Sequence, residues 1–291
     1  MLECGTTNRE PAQTVHKAGA RFDLRRIYTV LLVVPLLYGA IRYLPAAVFT
    51  GIVAVAAGLS LYELYRLCLP AASRSLSVGI GLLGCMALIV GPHQPALVPA
   101  GLLVAVVAVL SIPVLLEVPL ADSLKEAALV VTGMLYIGLT LSFLVLLRLL
   151  QDGESLLFFL LLVTWAADTG AYYVGTLYGR RKLAPKISPK KTVEGLAGGF
   201  VGAAIVACVA RWTFLAEFSL VDTLILAVLL TAAGVWGDLV ESAIKRSAGV
   251  KDSGGLLPGH GGMLDRLDSL LFTAPAFYYY VTFMGRVAAH S

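Results

Sequence analysis

The sequence predicts an all-α fold, a polytopic integral membrane bundle of about nine transmembrane helices. Three observations lead there. The chain is 58% hydrophobic and only 14% charged, with a mean hydropathy of +0.86, whereas soluble domains carry about a quarter charged residues. Apolar runs of membrane-crossing length recur along it. The basic residues gather in alternate connections between those runs, as orientation by positive charge on the cytoplasmic side requires.

The elements follow in order. Residues 1–26 form a polar head containing Arg9, Lys17, Arg21, Arg25 and Arg26. It is long for the n-region of a cleaved signal peptide, and the apolar run behind it continues past Arg42, so a retained first span is expected. Spans are placed near 27–44, 46–67, 75–92, 96–117, 127–149, 155–178, 195–212, 219–241 and 267–286. With the head inside, the even-numbered connections face the cytoplasm. They hold Arg66 and Arg74, then Lys125, then six basic residues from Arg180 to Lys191, then Lys245, Arg246, Lys251 and Arg266. The N-terminus is therefore expected in the cytoplasm and the C-terminus outside. Cys4, Cys68, Cys85 and Cys208 are scattered and suggest neither a disulfide framework nor a zinc site.

The division expected is a cytoplasmic head (1–26), a membrane scaffold of five spans (27–150) and a catalytic membrane region of four spans with two cytoplasmic loops (151–291). In the scaffold, Gly51, Gly58, Gly79, Gly81 and Gly84 would allow close helix approach. Glu63 has Arg66 three residues later, and an interfacial helix pair is favoured over a catalytic role there.

Chemistry concentrates after residue 150. Asp168 lies twelve residues before the basic run, roughly 18 Å along a helix. A carboxylate at such depth marks a functional site by default; a buried pair with a lysine from the following loop is the structural alternative. That loop, GRRKLAPKISPKKTVEG at 179–195, has six basic residues and one acid. Membrane anchoring alone would explain its charge, but the interleaved prolines and the Ser188 and Thr192 hydroxyls favour a pocket for phosphate oxygens. Gly195, Gly198, Gly199 and Gly202 open span seven. No strand is predicted before them, so tight helix packing is expected in preference to a nucleotide loop.

Asp238 and Glu241 share a helix face, with Lys245 one turn beyond. The glycines from Gly254 to Gly262 preclude a regular helix and let backbone amides approach an anion. Asp265 and Asp268 then stand three apart at the start of span nine. They could cap that helix, but together with Asp238 they supply three hard oxygen ligands of the kind Mg²⁺ takes.

SAIKR at 242–246, KD at 251–252 and PGHGGMLDRLD at 258–268 resemble the signature of the phosphatidate cytidylyltransferases, or CDP-diacylglycerol synthases. SPKKTVEG at 188–195 and GDLVES at 237–242 are similar to two further family segments, with Val193 where Trp is more usual. Ser253 stands where Phe is common. The resemblance covers about residues 165–285. It implies transfer of the cytidylyl group of CTP to phosphatidate, with Mg²⁺ as cofactor and room for a second cation. Carried onto this sequence, it makes Asp238, Lys251, Asp265 and Asp268 the catalytic group, the three aspartates being the metal ligands. Asp168, Lys186, Ser188, Lys190, Lys191, Glu194, Ser242, Lys245, Arg246, Asp252, His260, Gly261, Gly262 and Arg266 become the substrate-binding group. CTP, phosphatidate and membrane lipid are the expected partners, nucleic acid is not, and a homodimer is compatible with the sequence. A bacterial-type inner membrane with the site facing the cytoplasm is expected.

A transporter of an anionic or nucleotide-like solute is the rival from another class. It would spread ionisable groups through the membrane depth and show a repeat of spans, whereas the charges here cluster at one edge. The paired acidic motif of the CDP-alcohol phosphatidyltransferases is not found.

Overall fold

A computed structural model describes residues 24–69, 71–116, 120–254 and 261–284. It is almost entirely helical. The helices are α1 (Leu24–Tyr43), α2 (Ala46–Cys68), α3 (Ala71–Val90), α4 (Leu97–Leu116), α5 (Leu120–Met134), α6 (Thr140–Leu149), α7 (Gly153–Tyr178), α8 (Val193–Thr213), α9 (Leu220–Ser247), α10 (Leu264–Leu267) and α11 (Leu270–Phe283). Each span expected from hydropathy overlaps helix among the described residues. Among the described residues, five helical stretches are long and apolar enough to cross a membrane: Ala46–Cys68, Ser123–Leu149, Gly153–Tyr178, Val193–Thr213 and Leu220–Ser247.

Two local features depart from an all-α reading. Between α7 and α8 the basic loop folds as an antiparallel hairpin of β1 (Lys182–Ala184) and β2 (Ser188–Thr192), with Lys182 opposite Thr192 and Ala184 opposite Ser188. Three- and five-residue strands rich in lysine and proline carry no period-two apolar signal, so hydropathy could not reveal them. The fifth span contains a π-helical turn at Leu135–Leu139 joining α5 to α6. Its Tyr136 carbonyl accepts from the Thr140 hydroxyl at 2.5 Å, which compensates the disturbed ladder. Such turns are frequent at functional sites.

In the scaffold, α3 and α5 enclose buried Tyr65 of α2. Its hydroxyl donates to the Val130 carbonyl at 2.6 Å, and Gly81 and Gly133 leave the space its ring fills. Gly84 does the same for Met134, but Gly51 and Gly79 face open space, so the expected role in close packing holds for Gly81 and Gly84 and not for those two.

In the second half, α7 packs along α8. Side chains at Gly195, Gly198 and Gly202 would collide with the carbonyls of Ala171, Gly170 and Ala166. These glycines therefore serve helix packing as expected, although the premise was wrong: strand β2 runs directly into α8. Thr192 caps that helix by accepting from the Gly195 amide at 3.1 Å. Helix α9 packs on both α8 and α11, and Gly237 lets it approach the backbone at Asp268. That approach brings the two acidic segments together.

Candidate functional site

A cavity of about 580 Å³ opens between α7, the hairpin, α8 and α9. Asp168, Lys182, Lys190, Lys191 and Asp238 line it. The Lys191 ammonium meets Asp238 at 2.6 Å and the Val235 carbonyl at 3.4 Å. Ser242, one turn on, donates to the other Asp238 oxygen at 3.1 Å. Asp168 thus shares its cavity with lysines of the following loop.

Behind Asp238, the carboxylates of Asp238, Glu241 and Asp268 bring oxygens within 4.8 Å of one another. The first two lie one turn apart on α9, and Asp268 ends α10. Glu241 is fully buried, and Lys245 meets it at 2.6 Å. The same ammonium reaches Asp265 at 2.6 Å. Three carboxylates, Asp238, Glu241 and Asp265, therefore share two ammonium partners, Lys191 and Lys245, while Asp268 pairs with neither among the described residues. Three oxygen donors converging in a partly buried place suit a hard divalent cation, so the residues present fit one.

Asp265 is placed differently from Asp268. It accepts from the Gly262 amide at 2.8 Å, the Ser253 amide at 3.1 Å and the Ser253 hydroxyl at 3.0 Å. Burial by itself would raise its carboxyl, but the Lys245 ammonium and these backbone donors outweigh that and hold it down at about 2. Gly261 has φ +77°, a left-handed conformation that glycine adopts without strain. A side chain at Gly262 would strike Ser253 and Glu63.

The basic and hydroxyl candidates separate into groups. Lys190 and Lys191 line the cavity, joined by Lys182, which sequence reasoning had counted only as loop charge. Lys186 and Arg266 are exposed; Lys186 sits at the hairpin turn, and Ser188 lies in the ladder opposite Ala184. Glu194 accepts from the amides of Arg180 and Arg181 at 3.0 and 3.1 Å, closing the base of the hairpin. Arg246 donates to the Val250 carbonyl at 3.0 Å. Lys251 and Asp252 are exposed just before Ser253. His260 lies outside the described residues.

Four residues missing from the expected site belong beside it. Glu241 was visible in the i, i+3 spacing but was read only as an ion-pair partner. Glu63 of α2 does not act as a surface partner of Arg66: it is 3% exposed and accepts from the Ser253 hydroxyl, the Met263 amide and the Leu264 amide at 2.9–3.0 Å. Those contacts span about 200 residues of sequence, and no local pattern announces them. Tyr136, on the π-helical turn, has a buried hydroxyl without a hydrogen-bond partner among the described residues, within electrostatic reach of Glu241 and Asp268. Ser253, noted only as a departure from a family pattern, links Glu63 to Asp265.

Residues 24–284 match the cytidylyltransferase family. Phosphatidate cytidylyltransferase of Bacillus subtilis (strain 168) is 44% identical over 155 residues, covering 53% of this chain and 58% of that protein. The Haemophilus influenzae protein of the same name is 45% identical over 136 residues, 45% of this chain and 47% of that one. The Synechocystis phosphatidate cytidylyltransferase is 48% identical over 120 residues, 41% of each. The matched stretch spans about half the length of these relatives.

Proposed function

The chain belongs to the cytidylyltransferase family, and we propose that it transfers the cytidylyl group of CTP to phosphatidate, forming CDP-diacylglycerol and diphosphate. One observation carries this reading: a lysine-lined cavity that meets a group of close carboxylates at Asp238, set in an apolar helical bundle. Relatives named phosphatidate cytidylyltransferase support it.

A phosphate oxygen of phosphatidate attacks the α-phosphorus of CTP, and the bond from that phosphorus to the bridging oxygen of diphosphate breaks. The attacking group is already an anion, so no strong base is needed. The barrier lies in bringing two polyanions together and in the charge of the leaving group. Lys182, Lys190 and Lys191 offer cationic donors to the phosphates from the cavity wall, and Lys186, Arg246, Lys251 and Arg266 remain the further basic candidates of the sequence. Asp238 holds Lys191 in place, and Lys245 holds Glu241 and Asp265 together. Asp238, Glu241 and Asp268 would hold a divalent cation, Mg²⁺ in this reading, which offsets phosphate charge when bound. Asp265 and Asp168 remain candidate ligands of a second cation.

In the same reading the chain crosses the membrane nine times, its N-terminus and catalytic loops facing the cytoplasm of a bacterial-type inner membrane. A cysteine at position 252 should then react with an impermeant reagent only from the cytoplasmic side; labelling from outside would reverse the topology. The activity is tested by incubating purified protein with CTP, phosphatidate and Mg²⁺. A liponucleotide that disappears on chelation is expected, and none from well-folded protein would end the proposal.

A further inference from the structure

A separate cavity, of about 460 Å³, lies between α1, α7 and the residue that follows α8, Phe214. Its walls descend two antiparallel helices level by level. Arg42 of α1 meets Glu154 of α7 at 2.6 Å. Four residues deeper on each helix, Tyr38 stacks on Phe158 with ring centroids 5.1 Å apart. Four deeper again, Val34 and Leu162 line the space, and Trp165 is the last residue of α7 to do so. The polar end lies where α1, α7 and α8 all stop, at Tyr43, Gly153 and Thr213, and so at an edge of the bundle. It is the edge away from the hairpin, since Glu154 and Tyr178 are about 36 Å apart along α7 at ~1.5 Å per residue. From Glu154 to Trp165 the cavity runs about 16 Å inward, roughly half of a ~30 Å hydrocarbon core and so the depth of one leaflet.

We propose that this cavity is a phospholipid site, in which one acyl chain fills the slot between α1 and α7 and the headgroup phosphate takes Arg42. The polar end is built for an anion. Glu154 gives one oxygen to Arg42 and the other to Arg148 at 3.1 Å, so two guanidiniums share one carboxylate. Arg148 is 15% exposed and is tied as well to the Leu44 carbonyl at 3.4 Å. Arg42 is 56% exposed and engages Glu154 through Nη1 alone among the described residues, which leaves the rest of its planar fork for phosphate oxygens. The apolar walls are open at hydrocarbon depth, with Tyr38 and Trp165 partly exposed, and close-packed interiors leave few voids of this size. In a bilayer the filler at hand is an acyl chain, and one anchored at Arg42 runs down the slot in the direction a lipid of that leaflet takes. Its tail gains little on leaving other tails, so the selectivity lies in the phosphate. The site goes beyond cytidylyl transfer and requires only that the bundle lie in a bilayer.

The test uses the intact protein in lipid nanodiscs, without CTP, and two photoreactive probes with identical diazirine-bearing chains: phosphatidylglycerol, and diacylglycerol, which lacks the phosphate. Crosslinked peptides are mapped by mass spectrometry. Severalfold stronger labelling of residues 34–38 and 158–165 by phosphatidylglycerol is expected, and Arg42→Gln should bring it down to the diacylglycerol level. Because Arg42→Gln also removes the ion pair with Glu154, Val34→Trp supplies a second variant. It fills the deep end of the slot and should abolish labelling at 161–165 with Arg42 intact. Equal labelling of the unaltered protein by the two probes would make the cavity an ordinary lipid contact and overturn the proposal. Labelling that survives either substitution in folded protein contradicts it as well. Crosslinks at Trp165 between two copies of the chain would also overturn it, by making the cavity an interface. Liponucleotide synthesis is measured separately, so the failure of either reading leaves the other standing.

Discussion

The scaffold and the catalytic half each bury carboxylates near the same loop, and they satisfy them differently. Glu63, from the scaffold, accepts three hydrogen bonds from Ser253, Met263 and Leu264. Asp238, Glu241 and Asp265, from the catalytic half, share two lysines; among the described residues, Asp268 pairs with neither, and Glu241 takes neither a backbone nor a hydroxyl donor. A fully satisfied buried acid fixes structure, whereas a group of acids short of positive charge is costly unless something cationic joins it. The contrast separates the residue that shapes the loop from the residues prepared to act.

Substitutions can break that contrast. The largest effect is expected for Asp268→Ala, which removes a member of the carboxylate group: kcat should fall about 10²–10³-fold, the range for deleting one preorganised electrostatic group, with little change in melting temperature. Glu63→Ala should behave in the opposite way. It strands buried donors at about 1–3 kcal/mol each, so the melting temperature should drop, with activity falling because the loop loosens; an unaltered melting temperature would contradict its structural role. Gly262→Ala should resemble Glu63→Ala, since the new methyl meets both Glu63 and Ser253.

Tyr136→Phe sharpens the comparison further, because Tyr136 comes from the scaffold but its buried hydroxyl lies within electrostatic reach of two of the acids. It should raise the Mg²⁺ concentration needed for half-maximal rate by about 10-fold, as loss of outer-shell partners does, with unchanged stability. The smallest effect concerns pH. The Asp265 carboxyl is held below its ordinary value, so its contribution is present above the usual carboxylate range and is lost as pH falls toward about 2. Hydrogen exchange at the Ser253 and Gly262 amides should stay slow from neutral pH to about 5 and quicken only below about 4. Quickening already at pH 6 would show that Lys245 does not hold Asp265.

The helices were legible because they carry long apolar runs, and each expected span overlaps helix among the described residues. The hairpin was not, because Lys182–Thr192 pairs through its backbone and shows no alternation. At the site, Asp238, Asp268 and the lysines were legible because ionisable residues in an oily chain stand out. Glu63 stood out as well, but its role depends on a loop some 200 residues away. The grouping of Glu241 with Asp268, and the attachment of Asp265 to Ser253 and Gly262, depend on the meeting of α9 with α10. Spacing within one helix cannot report that.

The central claim is that the carboxylate group serves cytidylyl transfer, and double-labelled CTP tests it most directly. With phosphatidate, Mg²⁺ and purified protein, label in the α-phosphate should enter the lipid and label in the γ-phosphate should leave as diphosphate, in equal amounts. Folded Asp268→Ala should do neither at a comparable rate. Release of γ-label as free phosphate, with none of the α-label in lipid, would contradict the account.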